Sequence, residues 1–133
     1  MTDSEENKEK EAPVILLVED DMLLTDMYTM KLKLGGFKVL TAMNGEAGLR
    51  IALEEDVDLI LLDMLLPRMQ GIEVLKELRK SEKCKDTPVI ALTNLAKEDL
   101  RQEAFDLGVK DFLIKAQENP DKVVEIIKKV LRK

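Results

Sequence analysis

Glu19, Asp20 and Asp21 directly follow the apolar run Val14–Val18, and Asp63 follows Leu59–Leu62. Thr93 follows Val89–Leu92, and Lys115 follows Asp111–Ile114. Each of these polar groups stands where a strand-like run ends. In an open parallel sheet, ligands bind just beyond the carboxyl ends of the strands, where the strand order reverses. Groups scattered along the chain would therefore meet in one crevice. Three consecutive acids repel one another, and a divalent cation is a sufficient remedy. Mg²⁺ prefers carboxylate oxygens plus water, often shared with a phosphate. The set then reads as acids to hold Mg²⁺, Asp63 as nucleophile or ligand, and a lysine and a hydroxyl to meet an anion. Phosphoryl transfer needs such groups, because the protein's task there is positioning and neutralising charge on the oxygens. A carboxylate can itself be the acceptor, giving an acyl phosphate.

Taken singly, each residue has a plainer reading. An acid after a strand is commonly the N-cap of the next helix, and Asp21, just ahead of Met22, suits that role. For Asp63 a cap is a poor fit, because Leu65, Leu66 and Pro67 follow, and Pro67 disfavours helix at Leu66. Thr93 beside a strand is ordinary, and a lysine at the place of Lys115 is often merely solvated. It is the combination that points to chemistry.

The elements that must position these groups alternate with little interruption. Apolar or β-branched runs at Val14–Val18, Phe37–Thr41, Leu59–Leu62, Val89–Leu92 and Asp111–Ile114 read as strands. Amphipathic segments at Met22–Leu34, Gly45–Glu54, Gly71–Lys80, Lys97–Leu107 and Pro120–Leu131 read as helices. Gly35-Gly36 and Gly108 read as helix stops, with glycine supplying the left-handed conformation. Five β/α pairs with short connections predict an α/β fold, a doubly wound parallel sheet with helices on both faces. The runs at Val14, Leu59 and Val89 are continuously apolar, as central parallel strands are.

At 133 residues the chain is long enough for one domain with a real core. Its formal net charge is -6 and its sequence pI about 4.8, which argues against nucleic acid as a partner. Histidine is absent, so imidazole serves neither as base nor as ligand, and any metal is held by oxygen. The only cysteine, Cys84, has no partner for an internal disulfide, which fits a reducing cytosol. No run approaches the roughly 20 residues of a membrane span, and the acidic start is no signal peptide. The expectation is a cytoplasmic protein with a disordered acidic tail at residues 1–12 and a single domain at 13–133.

The residues on which this reading rests resemble the receiver domain of two-component response regulators, of the CheY-like kind. The resemblance runs from about Val14 to the C-terminus. It is carried by Val14-Ile15-Leu16-Leu17-Val18-Glu19-Asp20-Asp21, by Leu61-Leu62-Asp63-Met64-Leu65-Leu66-Pro67-Arg68-Met69-Gln70-Gly71, by Thr93, and by Phe112-Leu113-Ile114-Lys115. It implies a five-stranded (βα)5 sheet in the flavodoxin-like order 2-1-3-4-5. It implies that Asp63 accepts a phosphoryl group from a sensor histidine kinase or a histidine phosphotransfer protein. Asp20 and Asp63 would ligate Mg²⁺, Glu19 would act through a bound water, and the Leu65 carbonyl would complete the set. Lys115 and Thr93 would meet the phosphoryl oxygens. Phe112 would be the switch aromatic, although an ordinary strand aromatic fits its position as well.

The resemblance further implies a stand-alone regulator that catalyses only its own phosphoryl transfer and slow autodephosphorylation. Its readout face would comprise Lys97–Leu107, Asp111–Ile114 and Pro120–Leu131, offered to a downstream protein or to a second copy of the chain.

The chain departs from the family at three places. Ala116 stands where a proline, often cis, usually follows the lysine. A trans bond is expected here, because a cis bond before a non-proline residue costs about 2.5–4 kcal/mol. Asn94 is bulkier than the usual small residue after the threonine. Leu65 and Leu95 are both apolar near the path of hydrolytic water, where they would shield an acyl phosphate.

Two other enzyme or cofactor classes fit less well. A haloacid-dehalogenase-type phosphatase needs a second acid where Leu65 stands, and a flavin binder of this fold needs a phosphate loop where three acids stand. The remaining alternative is a degenerate receiver acting as a phosphorylation-independent scaffold.

Overall fold

The computed structural model describes residues 11–132. The expected disordered tail at 1–12 lies outside these residues except for Glu11 and Ala12.

Among the described residues five strands and five helices alternate. They are β1 (Val14–Val18), α1 (Met22–Leu34), β2 (Lys38–Ala42), α2 (Gly45–Glu54), β3 (Leu59–Leu62), α3 (Gly71–Lys80), β4 (Val89–Thr93), α4 (Glu98–Asp106), β5 (Asp111–Ile114) and α5 (Pro120–Leu131). A single 3-10 turn over Lys115–Gln117 joins β5 to α5. The strands form one sheet in the order β2-β1-β3-β4-β5, with every neighbouring pair parallel. This is the α/β fold and the strand order expected above.

The pleat sends alternate side chains to opposite faces, and the two resulting cores differ in their helices. Leu16, Val18, Ile60, Leu62, Val89 and Ala91 pack with Ala52, Val74, Leu75, Leu78 and Ala104, under α2, α3 and α4. Ile15, Leu17, Leu59, Leu61, Ile90 and Leu92 pack with Tyr28, Leu32, Val123, Val124 and Ile127, under α1 and α5. All of β3 and β4 is buried, which is why those runs carry no polar alternation. Edge strand β2 keeps only Ala42 fully buried.

Helix boundaries follow from local chemistry. Asp21 caps α1 by accepting from the Leu24 N–H at 3.1 Å, and Asn44 caps α2 by accepting from the Ala47 N–H at 2.8 Å. Asn119 accepts from the Asp121 N–H, and Pro120 opens α5. Past α1 the left-handed residue is Gly36, at φ 96°, while Gly35 stays in the right-handed region. Gly108, at φ 86°, turns the chain after α4. Arg79 ties this turn to the end of α3, donating to the carbonyls of Leu107, Cys84 and Thr87 at 2.7, 3.1 and 2.9 Å.

Three elements differ from the expected ones, β2 and α4 by a residue at both ends and β4 by a residue at its C-terminal end. Strand β2 begins at Lys38, because the Phe37 N–H closes the preceding turn onto the Leu32 carbonyl and pairing starts at Val14↔Lys38. Strand β4 extends to Thr93, which pairs with Ile114. Helix α4 is flanked by Lys97 and Leu107 as caps rather than including them.

Among the described residues no helix is long and apolar enough to cross a membrane.

Candidate functional site

The strand order reverses between β1 and β3, since β1 leads to β2 on one side while β3 lies on the other. The register sets Val18 opposite Leu62, so the residues following each strand, Glu19 and Asp63, emerge side by side. Their backbones continue the sheet: the Asp63 N–H donates to the Val18 carbonyl at 3.1 Å and the Glu19 N–H to the Ala42 carbonyl at 2.9 Å. Both side chains are consequently fixed at the switch point and nearly buried, at 3% exposure for Glu19 and 4% for Asp63. Asp20 is exposed.

Glu19, Asp20 and Asp63 can each bring one carboxylate oxygen to within 4.8 Å of the other two. An all-oxygen, all-carboxylate donor set suits a hard divalent cation such as Mg²⁺ and not a soft metal. One partly exposed acid gives such an ion access to water. The residues therefore fit Mg²⁺.

Lys115 enters from the far side of the crevice, in the 3-10 turn that follows β5. Its ammonium donates to Asp63 Oδ2 at 2.5 Å and lies 2.5 Å from Glu19 Oε1, with its side chain 12% exposed. The remaining carboxylate oxygens are also occupied. Asp63 Oδ1 accepts from the Leu65 N–H at 3.0 Å, and Glu19 Oε2 accepts from the Asp21 N–H at 3.0 Å. Burial raises the pKa of Glu19, against the lowering effects of Lys115 and the Asp21 N–H. For Lys115, burial works to lower the pKa, but hydrogen bonds and charge from Asp63 and Glu19 outweigh it, and the net shift is upward. The ammonium is thereby kept charged.

Thr93 is fully buried at the end of β4, and its Oγ1 accepts from the Leu95 N–H at 3.1 Å. A hydroxyl that accepts still has its proton to donate. Phe112 is buried, 7% exposed, and packs in the core beneath α2, α3 and α4. It also lines a groove with Ala96, Lys97, Glu98, Arg101 and Ile114. Leu65 is 55% exposed and Leu95 half-buried, while Asn94 and Ala116 are exposed.

The Lys115–Ala116 bond is trans, as expected, since no peptide bond among the described residues is cis. Asp21 serves as the cap and not as part of the acidic cluster.

Two contributions to the site escaped the sequence reading. Lys115 bridges to Glu19 as well as Asp63, which follows from the β1–β3 register. Gly71 lets α3 begin against the Asp63 loop, where an added Cβ would lie 2.3 Å from the Asp63 carbonyl oxygen. Its signal was a glycine at the first position of a helix, where a better helix former would otherwise be expected.

Comparison with known proteins bears on this geometry. A family model described as the response regulator receiver domain matches residues 15–128. The transcriptional regulatory protein CpxR of Klebsiella pneumoniae is 42% identical over 119 residues, which are 90% of this chain and 49% of that protein. The chain thus spans about half the length of the curated relatives it matches. A CheY-like response regulator receiver domain protein from Methanospirillum hungatei superposes with a TM-score of 0.85 at 28% identity, covering 91% of this chain and 94% of that one. The receiver domain of the sensor histidine kinase PA1611 from Pseudomonas aeruginosa superposes with a TM-score of 0.82 at 28% identity, covering 92% and 99%. That structure has a magnesium ion coordinated in its active-site cleft.

Proposed function

The chain belongs to the response regulator receiver domain family, and on that premise we propose that Asp63 accepts a phosphoryl group from a sensor histidine kinase or a histidine phosphotransfer protein. Residues 13–133 form the receiver unit in this reading. The observation that carries it is the direct approach of Lys115 Nζ to Asp63 Oδ2, at 2.5 Å, beside the carboxylates of Glu19 and Asp20. A carboxylate at a strand end, paired with a lysine and flanked by acids that suit Mg²⁺, is equipped to take up a phosphoryl group and hold it.

In the transfer, a carboxylate oxygen of Asp63 forms a new O–P bond while the P–N bond to the donor imidazole breaks. The imidazole keeps that electron pair and takes up a proton. The groups that would hold Mg²⁺ are Asp20, Asp63, the Leu65 carbonyl and, through a water, Glu19. The ion would offset negative charge on the phosphoryl oxygens. Lys115 exchanges its bond to Asp63 Oδ2 for one to a phosphoryl oxygen, and the Thr93 hydroxyl donates its free proton to another. The added group brings about -1.5 to -2 charges near neutral pH, enough to bias a two-state element. The element biased is the β4–α4 loop with Phe112. The readout face is α4, β5 and α5, offered to a downstream protein or to a second copy of the chain.

The second reading, a phosphorylation-independent scaffold, draws on Asn94 and Ala116, which stand exposed directly after Thr93 and Lys115. One experiment separates the two. The protein is incubated with acetyl phosphate, with and without Mg²⁺, and its intact mass is recorded beside that of Asp63→Asn. A Mg²⁺-dependent gain of one phosphoryl group, absent from the variant, is the expected result. No gain in wild type at short times would overturn the phosphoryl-acceptor reading in favour of the scaffold.

A further inference from the structure

The residues that immediately follow the two phosphoryl-binding candidates are tied to each other. Asn94 comes after Thr93, Ala116 comes after Lys115, and the Ala116 N–H donates to Asn94 Oδ1 at 3.0 Å. This bond joins the β4–α4 loop to the 3-10 turn over Lys115–Gln117, across 22 residues of sequence. It is a backbone anchor one residue from the lysine that reaches Asp63.

An exposed asparagine in a loop is usually only a solvated turn residue. Two features set Asn94 apart. It stands between the partners of a tight turn, in which the Leu95 N–H donates to Thr93 Oγ1 at 3.1 Å, so its backbone is held on both sides. Its acceptor also meets an N–H that exists only because residue 116 is not proline, which has none. The two residues are therefore chemically matched as acceptor and donor.

Lys115 is otherwise aimed by its own ion pairs. The pair with Asp63 is the one given up when that carboxylate becomes an acyl phosphate, because its negative charge then moves to the phosphoryl oxygens. The Asn94–Ala116 bond does not involve the reacting groups and survives the exchange. We propose that Asn94 is a positioning residue, which holds the trans backbone at Lys115–Ala116 so that the lysine stays aimed at the phosphoryl group after it leaves Asp63. The inference rests on the phosphoryl-acceptor reading and adds to it a residue that touches neither metal nor phosphorus.

Beryllofluoride, which binds an aspartate carboxylate as a phosphoryl mimic, gives a test independent of turnover. Its affinity in saturating Mg²⁺ is measured by ¹⁹F NMR for wild type, Asn94→Ala, Ala116→Pro and the double variant. Amide hydrogen exchange at Ala116 is followed in the proteins that retain that N–H. Loss of one hydrogen bond predicts roughly three- to tenfold weaker beryllofluoride binding in Asn94→Ala. Ala116 protection falls with it, while the thermal midpoint and the affinity for Mg²⁺ alone are kept. Asn94→Asp, which retains the acceptor oxygen, restores Ala116 protection.

In the Ala116→Pro background, where the donor is gone, Asn94→Ala costs less than twofold. Equal losses in both backgrounds would overturn the proposal, because Asn94 would then act by another route. So would unchanged beryllofluoride binding in Asn94→Ala, which leaves the phosphoryl-acceptor reading standing. Failure of wild type to bind beryllofluoride at all would overturn that reading, and the positioning role with it.

Discussion

Lys115 Nζ donates to Asp63 Oδ2 at 2.5 Å. The same ammonium stands 2.5 Å from Glu19 Oε1, so one cation serves two carboxylates that are almost wholly removed from water. Removing one member of a buried ion pair leaves an uncompensated charge, a costlier change than never having built the pair. Lys115→Met leaves Glu19 and Asp63 facing each other with only backbone N–H partners. The expected loss is about 3 kcal/mol of folding stability at neutral pH in EDTA, and Mg²⁺ recovers part of it by supplying the missing positive charge. Urea unfolding with and without Mg²⁺ measures both. Equal stability of variant and wild type in EDTA would show that the two carboxylates do not depend on the lysine.

The metal site makes a separable prediction through Asp20. This carboxylate is exposed to solvent, so Asp20→Asn leaves the stability in EDTA within about 0.5 kcal/mol. Wild type gains about 1.4 kcal/mol when Mg²⁺ is raised to ten times its dissociation constant, because the ion binds only the folded state. Asp20→Asn loses most of that gain. Thermal midpoints across a Mg²⁺ titration report it. A full Mg²⁺ response in the variant would remove Asp20 from the ligand set.

The sheet was legible in the sequence because its central strands are continuous apolar runs and its helices carry three- and four-residue apolar spacing. Val14–Val18, Leu59–Leu62 and Asp111–Ile114 begin and end where the composition changes, and the structure keeps those limits. Phe37 was less readable. As a large apolar residue beside Lys38 it looks like strand, yet it is spent filling the core under α1 and α5 and closing the turn. The convergence of Glu19, Asp20, Asp63 and Lys115 could be anticipated because strand ends in a parallel sheet share one side. What spacing could not supply was pairing between side chains. Whether Lys115 meets one carboxylate or two depends on the Val18↔Leu62 register, and Asn94 meets Ala116 only because two loops are adjacent in space.

Gly71 couples the fold to the site more tightly than any other glycine near it. An added Cβ would stand 2.3 Å from the Asp63 carbonyl oxygen and 2.6 Å from Met64 Cα, both backbone atoms with little room to retreat. Gly71→Ala therefore costs about 3 kcal/mol of stability, at the upper end for overpacking, even though alanine is the better helix former. Relief of the clash displaces the Asp63 backbone, so Mg²⁺ affinity falls together with stability. Isothermal titration at a temperature where the variant remains folded separates the two effects. Unchanged Mg²⁺ affinity would show that the clash is absorbed by movement of α3 alone.

Leu65 and Leu95 flank the site from different loops, and each is tied by its backbone N–H to a site side chain. The Leu65 N–H donates to Asp63 Oδ1 and the Leu95 N–H to Thr93 Oγ1. Their backbones therefore lie one hydrogen bond from Asp63 and Thr93, and neither apolar side chain can orient a water for attack. Leu65 is held there at 55% exposure, although an apolar side chain gains nothing from facing solvent. Replacing the pair with Leu65→Asn and Leu95→Glu supplies polar groups that hydrogen-bond water beside the phosphorus. A single water held in line by a positioned side chain accelerates such steps by about 10²-fold at the low end. The double variant is accordingly expected to lose label from phosphorylated Asp63 at least tenfold faster than wild type. Single-turnover loss of ³²P after removal of the donor gives the rates directly, and equal lifetimes would discard the shielding role of the two leucines.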